Sequence, residues 1–270
     1  MYKVTKTFLL SLFALLILVP CSIVFLGTFK SDVKILSEPL ALPDSWSFDN
    51  FVRLFESGRI WTPTRNSLIV SSLSVGITLL LASMAAFAIA RSITVSGKVL
   101  FLLFSIGLAI PGQVNVIPIY LLFVKLNLTN SLFGLILVNI ALTLPISIFI
   151  LTSFIRDLPS EMFEAANIDG AKAFRTYWSI ALPLSKPAIG ATAIFLFVIT
   201  WNDLLYPLML IGENGKKTLP LTMLDFKGEF TTEYSMIYTS IIIASLPMIL
   251  MYVIFQRSFI SGLTQGAIKG

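Results

Sequence analysis

Residues 155–186 form a polar stretch between apolar runs and hold eight charged side chains. Ser160 can cap a helix that begins there, and Glu161 and Glu164 complement the positive N-terminal end of such a helix. The Glu164 carboxylate also offers a charge to a basic partner. The chemistry that these residues predict is therefore recognition of another surface.

Two short helices are the elements that this stretch predicts. Asp169-Gly170 ends the first, because glycine accepts the left-handed conformation found at helix ends. The second extends to about Ile180 and is ended by Leu182-Pro183. Its apolar residues follow i, i+3, i+4, i+7 spacing: Phe174, Tyr177, Trp178 and Ala181.

Ala165 and Ala166 give the first helix a small-residue face that permits close approach of another surface. The helix pair is thus interpreted either as a docking site for a cytosolic protein or as a surface element resting on a bilayer. General physical chemistry favours the bilayer slightly, and the residues alone leave both interpretations open.

The composition indicates a membrane protein. The chain has 270 residues, of which 56% are hydrophobic and 12% charged, whereas a soluble domain has about 25% charged residues. Mean hydropathy is +0.91. The sequence pI of 9.3 does not indicate nucleic-acid binding, because the basic residues form no patch with interleaved aromatics and lie in short segments between apolar runs.

Six apolar stretches approach or exceed the length that crosses a bilayer, about 20 residues. Because a spanning segment must satisfy its own backbone hydrogen bonds, we predict an all-α integral membrane protein with six transmembrane helices. The stretches are 7–29, 66–90, 99–124, 131–154, 187–211 and 236–256.

We predict an N-in/C-in topology, with the N- and C-termini both in the cytosol. In this topology the inner segments hold ten Lys and Arg and the outer ones nine, a difference too small to decide the orientation by itself.

Residues 7–29 resemble a signal peptide, but no small-x-small site ends the run, so we expect a retained span. In the outer segment 30–65, apolar residues predict an amphipathic helix at the membrane surface: Phe48, Phe51, Val52, Leu54 and Phe55.

Several classes of chemistry are excluded by residue counts. The chain has one cysteine, Cys21, and no histidine. There is consequently no intrachain disulfide, Cys/His metal site, Ser-His-Asp triad or histidine proton relay. We expect no catalytic residues and no metal.

Polar residues within the apolar stretches are candidates for a translocation path. Asp203 is the one formal charge inside a predicted span, where a charge costs about 2.5–3.5 kcal/mol at a helix centre. It is interpreted either as an interfacial acid or, with Asn202 and Trp201, as a path-lining group. Trp201 either stacks on a sugar or packs, and Asn115 and Asn139 either line the path or, as we favour, bond between helices.

Proline occurs within most of the predicted spans, as membrane helices commonly tolerate. Pro111-Gly112 is the best candidate for a hinge, because it combines a helix break with the polar side chains of Gln113 and Asn115.

A family resemblance rests on the spacing of the charged stretch. Glu164-Ala165-Ala166, three residues, Gly170, nine residues, Ile180, one residue and Leu182-Pro183 resemble the EAA motif of ABC importer permeases. Ile168-Asp169-Gly170-Ala171, Trp201-Asn202-Asp203 and the residues from Gly262 to Gly270 are similar to the carbohydrate-uptake branch, of the maltose-permease G-subunit type. Arg65-Asn66-Ser67-Leu68 and Ala86-Phe87-Ala88-Ile89-Ala90-Arg91 fit as well, and the resemblance covers essentially the whole chain.

This resemblance implies a type I ABC importer permease fold in the bacterial cytoplasmic membrane. Its implied divisions are a first span and outer loop (1–65), a permease core with the EAA loop (66–257) and a cytosolic tail (258–270). The implied partners are a second homologous permease, an ABC ATPase dimer contacted by the loop and the tail, and an extracytoplasmic sugar-binding protein. The implied ATPase contacts are Glu164, Ala165, Ala166, Asp169 and Gly170.

The function that this resemblance implies is import of a sugar or oligosaccharide driven by ATP in the partner subunit. Gly215-Lys216-Lys217 lacks the upstream glycine of a Walker A motif, so this chain should bind no cofactor and hydrolyse no ATP. The alternative is a self-contained secondary transporter of a small polar solute, which predicts inverted repeats and paired mid-membrane ionisable groups. A membrane enzyme is a third hypothesis, disfavoured by the absence of histidine.

Overall fold

The structure is a computed structural model that describes the backbone of residues 2–228 and 231–267. It describes the side chains of residues 4–228, 231–254 and 256. Helices account for most of this part of the chain, and its only extended pairing is an isolated bridge between Lys227 and Thr232. In chain order the α-helices are α1 (Tyr2–Gly27), α2 (Asp32–Ser37), α3 (Asp49–Glu56), α4 (Trp61–Ala90), α5 (Val95–Ala109), α6 (Val116–Lys125), α7 (Leu132–Arg156), α8 (Ser160–Ile168), α9 (Ala173–Thr176), α10 (Leu182–Leu184), α11 (Lys186–Trp201), α12 (Leu205–Leu210), α13 (Leu219–Met223) and α14 (Tyr234–Ala267).

Four helices are each long and apolar enough to cross a membrane as a single helix: α1, α4, α7 and the Tyr234–Ile254 part of α14. Two further crossings would each consist of a bent pair. One pair is α5 with Gly112–Lys125, bent by 87°, and the other is Ala173–Leu184 with α11, bent by 73°. The described residues thus provide up to six spans.

The sharp bend of the first pair falls at Ile110-Pro111, where the sequence predicted a break. A 3₁₀ turn over Gly112–Asn115 follows Pro111 and leads into α6. The predicted span 99–124 is therefore two helices with an interruption, since Pro111 cannot donate a backbone hydrogen bond within a continuous helix.

The predicted fifth span, 187–211, is wrong as a continuous helix. Helix α11 ends at Trp201 and α12 starts at Leu205. Asp203 therefore lies in the break between these helices. Its carboxylate accepts hydrogen bonds from the backbone of Leu205 (3.1 Å) and Tyr206 (3.4 Å), and such a side-chain acceptor favours the start of a new helix.

The predicted stop at Leu182-Pro183 is also wrong. A π turn over Tyr177–Ala181 joins α9 to α10, and the bend comes later, at Ser185. In the π turn the Leu182 N–H donates to the Tyr177 carbonyl, five residues back. The wider turn accommodates Pro183, which has no N–H to donate.

The chain divides into two compact units. One comprises Met1–Arg65 and Lys217–Met248, and the other comprises Asn66–Lys216 and Ile249–Gly270. Residues 217–248 thus group with the N-terminal part of the chain, although the predicted core, 66–257, included them.

In the first unit, buried polar groups fix the loop after α1. Lys30 is 3% exposed, and its Nζ donates to the carbonyls of Glu38 and Pro39, 3.0 Å from each. Asp32 accepts a 2.7 Å hydrogen bond from the backbone N–H of Ser235 at the start of α14, where a carboxylate complements the helix dipole. The amphipathic helix that the sequence predicted is present as α3, and it buries Leu54.

The second unit contains an apolar core contributed by α4, α7 and α11. Its buried members are small or branched: Ala82, Ala86, Ile89, Ile148, Leu151, Ile155 and Ala188. A buried hydrogen bond of 3.1 Å between the hydroxyls of Thr78 and Thr143 also joins α4 to α7. Helix α5 lies antiparallel to α7, with Phe101 stacked on Phe149 and Gly107 beside Pro145.

The side chains of the predicted cytosolic tail, 258–270, lie outside the described residues. The α14 backbone continues to Ala267. Residues 268–270, and the side chains of residues 257–267, are not described.

Candidate functional site

Helix α8 ends in a hydrogen-bonded turn that fixes the residues of the EAA motif. Gly170 has a φ of +73°, its N–H donates to the Asn167 carbonyl, and the Ala171 N–H donates to the Ala166 carbonyl at 2.9 Å. This pair of bonds is the Schellman arrangement of a helix C-terminus. The predicted break at Asp169-Gly170 is confirmed, whereas the predicted Ser160 cap is wrong, because the N-cap residue is Pro159 and Ser160 begins the helix.

The two alanines of the motif do not share an exposed face. Ala166 is 6% exposed and lies on the buried side of α8 with Phe163, while Ala165 is exposed. Adjacent helical residues point about 100° apart, so one alanine packs inside the loop and the other faces outward. Glu164, Asp169 and Gly170 are exposed together with Ala165.

The apolar residues of the second helix likewise separate into two sets. Tyr177 and Ala181 are buried, whereas Phe174 and Trp178 are 67% and 56% exposed and stack on each other, 6.4 Å between ring centres. The predicted single apolar face is therefore wrong. The buried pair forms a small core with Phe163, which joins the two halves of the loop.

Cavities flank α8 on two sides. A groove of about 710 Å³ is lined by residues of the loop and the end of α4, among them Arg91, Glu164 and Phe174. A smaller cavity of about 260 Å³ brings Ala165, Ala166 and Asp169 together, next to Arg175.

Contacts between the loop and α4 pair residues that the sequence did not predict to meet. The Arg91 guanidinium lies 3.4 Å from the ring centre of Phe163, and the hydroxyls of Ser83 and Tyr177 are 2.9 Å apart. Arg91 had a sequence signal only as the last residue of the segment 86–91 in the family resemblance. No spacing signal could have paired it with a ring 72 residues further along the chain.

The candidate path residues lie near the two helix interruptions. The Tyr206 hydroxyl donates to the Gly112 carbonyl at 2.9 Å, which ties the start of α12 to the 3₁₀ turn that contains Asn115. Asp203 Oδ2 is buried and has no hydrogen-bond partner in the described part of the chain. The polar groups of two separate interruptions thus occupy one neighbourhood.

Trp201 and the asparagines are engaged locally. Trp201 is 2% exposed and stacks on Phe197 at 5.5 Å, an arrangement that favours packing over stacking on a sugar. Asn202 is exposed and donates to the Val198 carbonyl, and Asn139 is buried and donates to the Leu135 carbonyl within its own helix.

Comparison with known proteins agrees with this architecture. Residues 78–264 match the family described as binding-protein-dependent transport system inner membrane component. The trehalose/maltose transport system permease protein MalG of Thermococcus litoralis is 32% identical over 276 residues, 99% of each chain. The diacetylchitobiose uptake system permease protein NgcG of Streptomyces coelicolor is 32% identical over 263 residues, 97% of this chain and 87% of the relative.

The fold is shared with a solved structure. A crystal structure of a bacterial ABC transporter involved in the import of the acidic polysaccharide alginate superposes with a TM-score of 0.80, covers 96% of both chains and is 19% identical. The predicted type I permease fold is confirmed. The chain belongs to the family of inner membrane components of binding-protein-dependent transport systems, and permeases of carbohydrate-uptake ABC transporters are among its relatives.

Proposed function

We propose that this chain is one permease subunit of an ATP-driven importer for a sugar or oligosaccharide. The relatives support a carbohydrate, since their names specify trehalose/maltose transport and diacetylchitobiose uptake. The similar crystal structure belongs to an alginate importer. The loop 155–186 receives the closing movement of the ATPase subunits and passes it to the membrane helices.

The observation that carries this proposal is the exposed C-terminal end of α8. Glu164, Ala165, Asp169 and Gly170 are exposed, and Ile168 exposes 86% of its surface. Full burial of such a side chain by a partner is worth about 1.5–3 kcal/mol. Because the Schellman turn holds this end in one geometry, a partner would bind it without first ordering it.

Each partner subunit in this proposal has a separate role in transport. An ABC ATPase dimer holds ATP and Mg²⁺, so this chain needs no cofactor and catalyses no reaction. A second homologous permease completes the membrane path, and a sugar-binding protein delivers solute from outside, as the description of the family supports. The chain lies in the cytoplasmic membrane of a bacterium with both termini and the loop inside, and its apolar spans contact lipid.

The solute path in this proposal passes the two helix interruptions. Asn202 and Asp203 lie in one interruption and Asn115 lies in the other, and the Tyr206–Gly112 hydrogen bond ties the two together. Trp201 ends α11 just before the first of these interruptions and packs on Phe197. Hydroxyl-rich solutes need such hydrogen-bonding groups within an apolar span, because their own hydroxyls lose water there.

Charge reversal at the exposed end of α8 tests the docking role. We expect Glu164→Lys to abolish co-purification of the ATPase subunits with this chain, because it places a cation where the proposal requires an anion. Glu161→Lys is the matched control, since it makes the same charge change on the same exposed helix, one turn earlier. The measurement is the amount of ATPase subunit recovered with tagged permease.

Full recovery of the ATPase with Glu164→Lys would contradict the proposal. Equal losses with both variants would also contradict it, because the effect would then follow the net charge of the loop and be independent of the docking position.

A further inference from the structure

We infer that Arg91, Ser83 and Tyr177 form a clamp that transmits movement of the loop to α4 and α7. Ser83 lies in α4, Arg91 directly follows it, and Tyr177 belongs to the loop. The inference rests on the proposed coupling role of the loop, and it assigns positioning roles to residues outside the docking surface.

Arg91 contacts two helices, α7 and α8, and the short connection between them. Its guanidinium lies over the Phe163 ring of α8, 3.4 Å from the centre. Its Nη2 atom donates to the carbonyls of Ile155 (3.3 Å) and Leu158 (3.4 Å), at the C-terminal end of α7. A cation is stabilised there by the negative end of the helix dipole. Burial lowers the pKa of Arg91, yet an arginine remains charged in proteins.

The second attachment point lies two turns away along α4. Ser83 and Tyr177 are both buried, and their hydroxyls are 2.9 Å apart. Between the two points, the Phe87 ring lies 5.7 Å from that of Tyr177 and 6.4 Å from that of Phe163. Eight residues of helix separate Ser83 from Arg91, about 12 Å at 1.5 Å per residue.

Two attachments at this separation prevent the loop from pivoting about either one. A push on the exposed end of α8 therefore displaces α4, because the loop cannot rotate on α4 or slide along it without breaking a buried contact. Ser83 Oγ also donates to the Leu80 carbonyl at 3.1 Å, so the group that loses its partner when the Ser83–Tyr177 bond breaks is the buried Tyr177 hydroxyl. Leaving a buried hydroxyl without a partner is unfavourable. Without the clamp, a displacement of the loop would move α7 and α11, which are joined to it through the backbone, but it would not move α4 with them.

Two conservative substitutions separate transmission from docking. Arg91→Lys keeps the charge and loses the planar fork that stacks and donates, and Tyr177→Phe removes only the hydroxyl. The measurement is made on the assembled transporter in vesicles, as solute imported per ATP hydrolysed, with the solute of the cognate binding protein. Arg156→Lys is the matched control: this arginine also stacks on a ring, Phe101 of α5, at 4.4 Å.

We expect both clamp variants to retain the ATPase subunits and to hydrolyse ATP near the wild-type rate. We expect solute imported per ATP to fall about fivefold, the factor that corresponds to loss of one net hydrogen bond. Arg156→Lys should match the wild type.

A wild-type ratio in both clamp variants would overturn the inference. Loss of the ATPase subunits from either variant would overturn it as well, because a clamp that only transmits movement leaves the docking surface intact. These outcomes are distinct from failure of the proposed function, which would appear as unchanged ATPase recovery in Glu164→Lys.

Discussion

Gly170 sets the geometry of the exposed loop at the scale of single residues. Its φ of +73° lies in the left-handed region, and an L-residue there is disfavoured by roughly 1–2 kcal/mol. The space around it is open, with no atom within 4 Å of the position of an added Cβ. The requirement for glycine is therefore conformational, since a side chain would fit but the backbone would resist it.

Gly170→Ala should weaken binding of the ATPase subunits. The alanine shifts the turn away from the left-handed conformation and misplaces Ile168 and Asp169 relative to a partner. Gly170→Asn should restore much of the binding, because asparagine tolerates this conformation better than alanine does. The measurement is the dissociation of ATPase subunits from the purified complex in a dilution series.

Gly58→Ala provides the matched control. Gly58 has a φ of +68° and open space around it, and it belongs to the other compact unit. Its alanine variant should lose similar stability and keep wild-type ATPase binding. Equal weakening in the two alanine variants would show that the docking geometry does not depend on Gly170.

Residue-scale predictions succeeded where the determinant was local. Asp169-Gly170 marked the end of α8 because a glycine at that position has a specific backbone role. Asp203 and Trp201 were harder to place, because both follow an apolar run that continues beyond them. The Asp203 carboxylate accepts two backbone hydrogen bonds that start a new helix, a role that depends on where α11 ends.

At the scale of elements, the turn between α6 and α7 is a close backbone contact. Gly134, in the first turn of α7, lies so near the Leu128 carbonyl oxygen that an added Cβ would collide with it. Ser131 caps the same helix by accepting from the Gly134 N–H at 3.4 Å. This close contact fixes the turn through which the chain passes from α6 into α7.

Gly134→Ala should lower the stability of the protein, because overpacking of this kind costs about 1–3 kcal/mol. Gly76→Ala is the matched control in another spanning helix, since no atom lies within 4 Å of the position of its added Cβ. We expect a lower thermal unfolding midpoint for Gly134→Ala and a midpoint at or above that of the wild type for Gly76→Ala. Equal midpoints for the two variants would contradict the contact.

The elements that the sequence predicted least well are those whose ends depend on tertiary packing. Hydropathy identified six apolar stretches, but it cannot distinguish a continuous helix from two helices joined at a bend. Pro111 marked one bend. The π turn before Pro183 and the break at Asp203 were missed, because their neighbours are as apolar as a continuous span.

At the scale of the whole molecule, length, composition and the spacing of the EAA motif were sufficient to predict an all-α membrane fold and the family. The contacts between the loop and α4 could not be predicted, since Ser83 and Arg91 are separated from Tyr177 and Phe163 by about 70 to 95 residues. Such pairings are fixed by how α4 and α7 pack, and one sequence does not reveal that packing.

The proposed function places the energy source for transport in a partner subunit. The described residues place no paired acidic and basic side chains at the helix interruptions, where Asp203 is the charged group. The proposed importer takes its energy from a partner that binds the exposed loop, and the chain alone should be unable to concentrate solute.

Solute uptake into vesicles is the most direct test of this account. The permease is reconstituted alone and with its partner permease, ATPase and loaded binding protein, and uptake is measured with ATP or with an ion gradient as the energy source. The account predicts uptake only by the complete assembly and only with ATP on the side of the loop. Concentrative uptake by this chain alone, driven by an ion gradient without ATP, would contradict it.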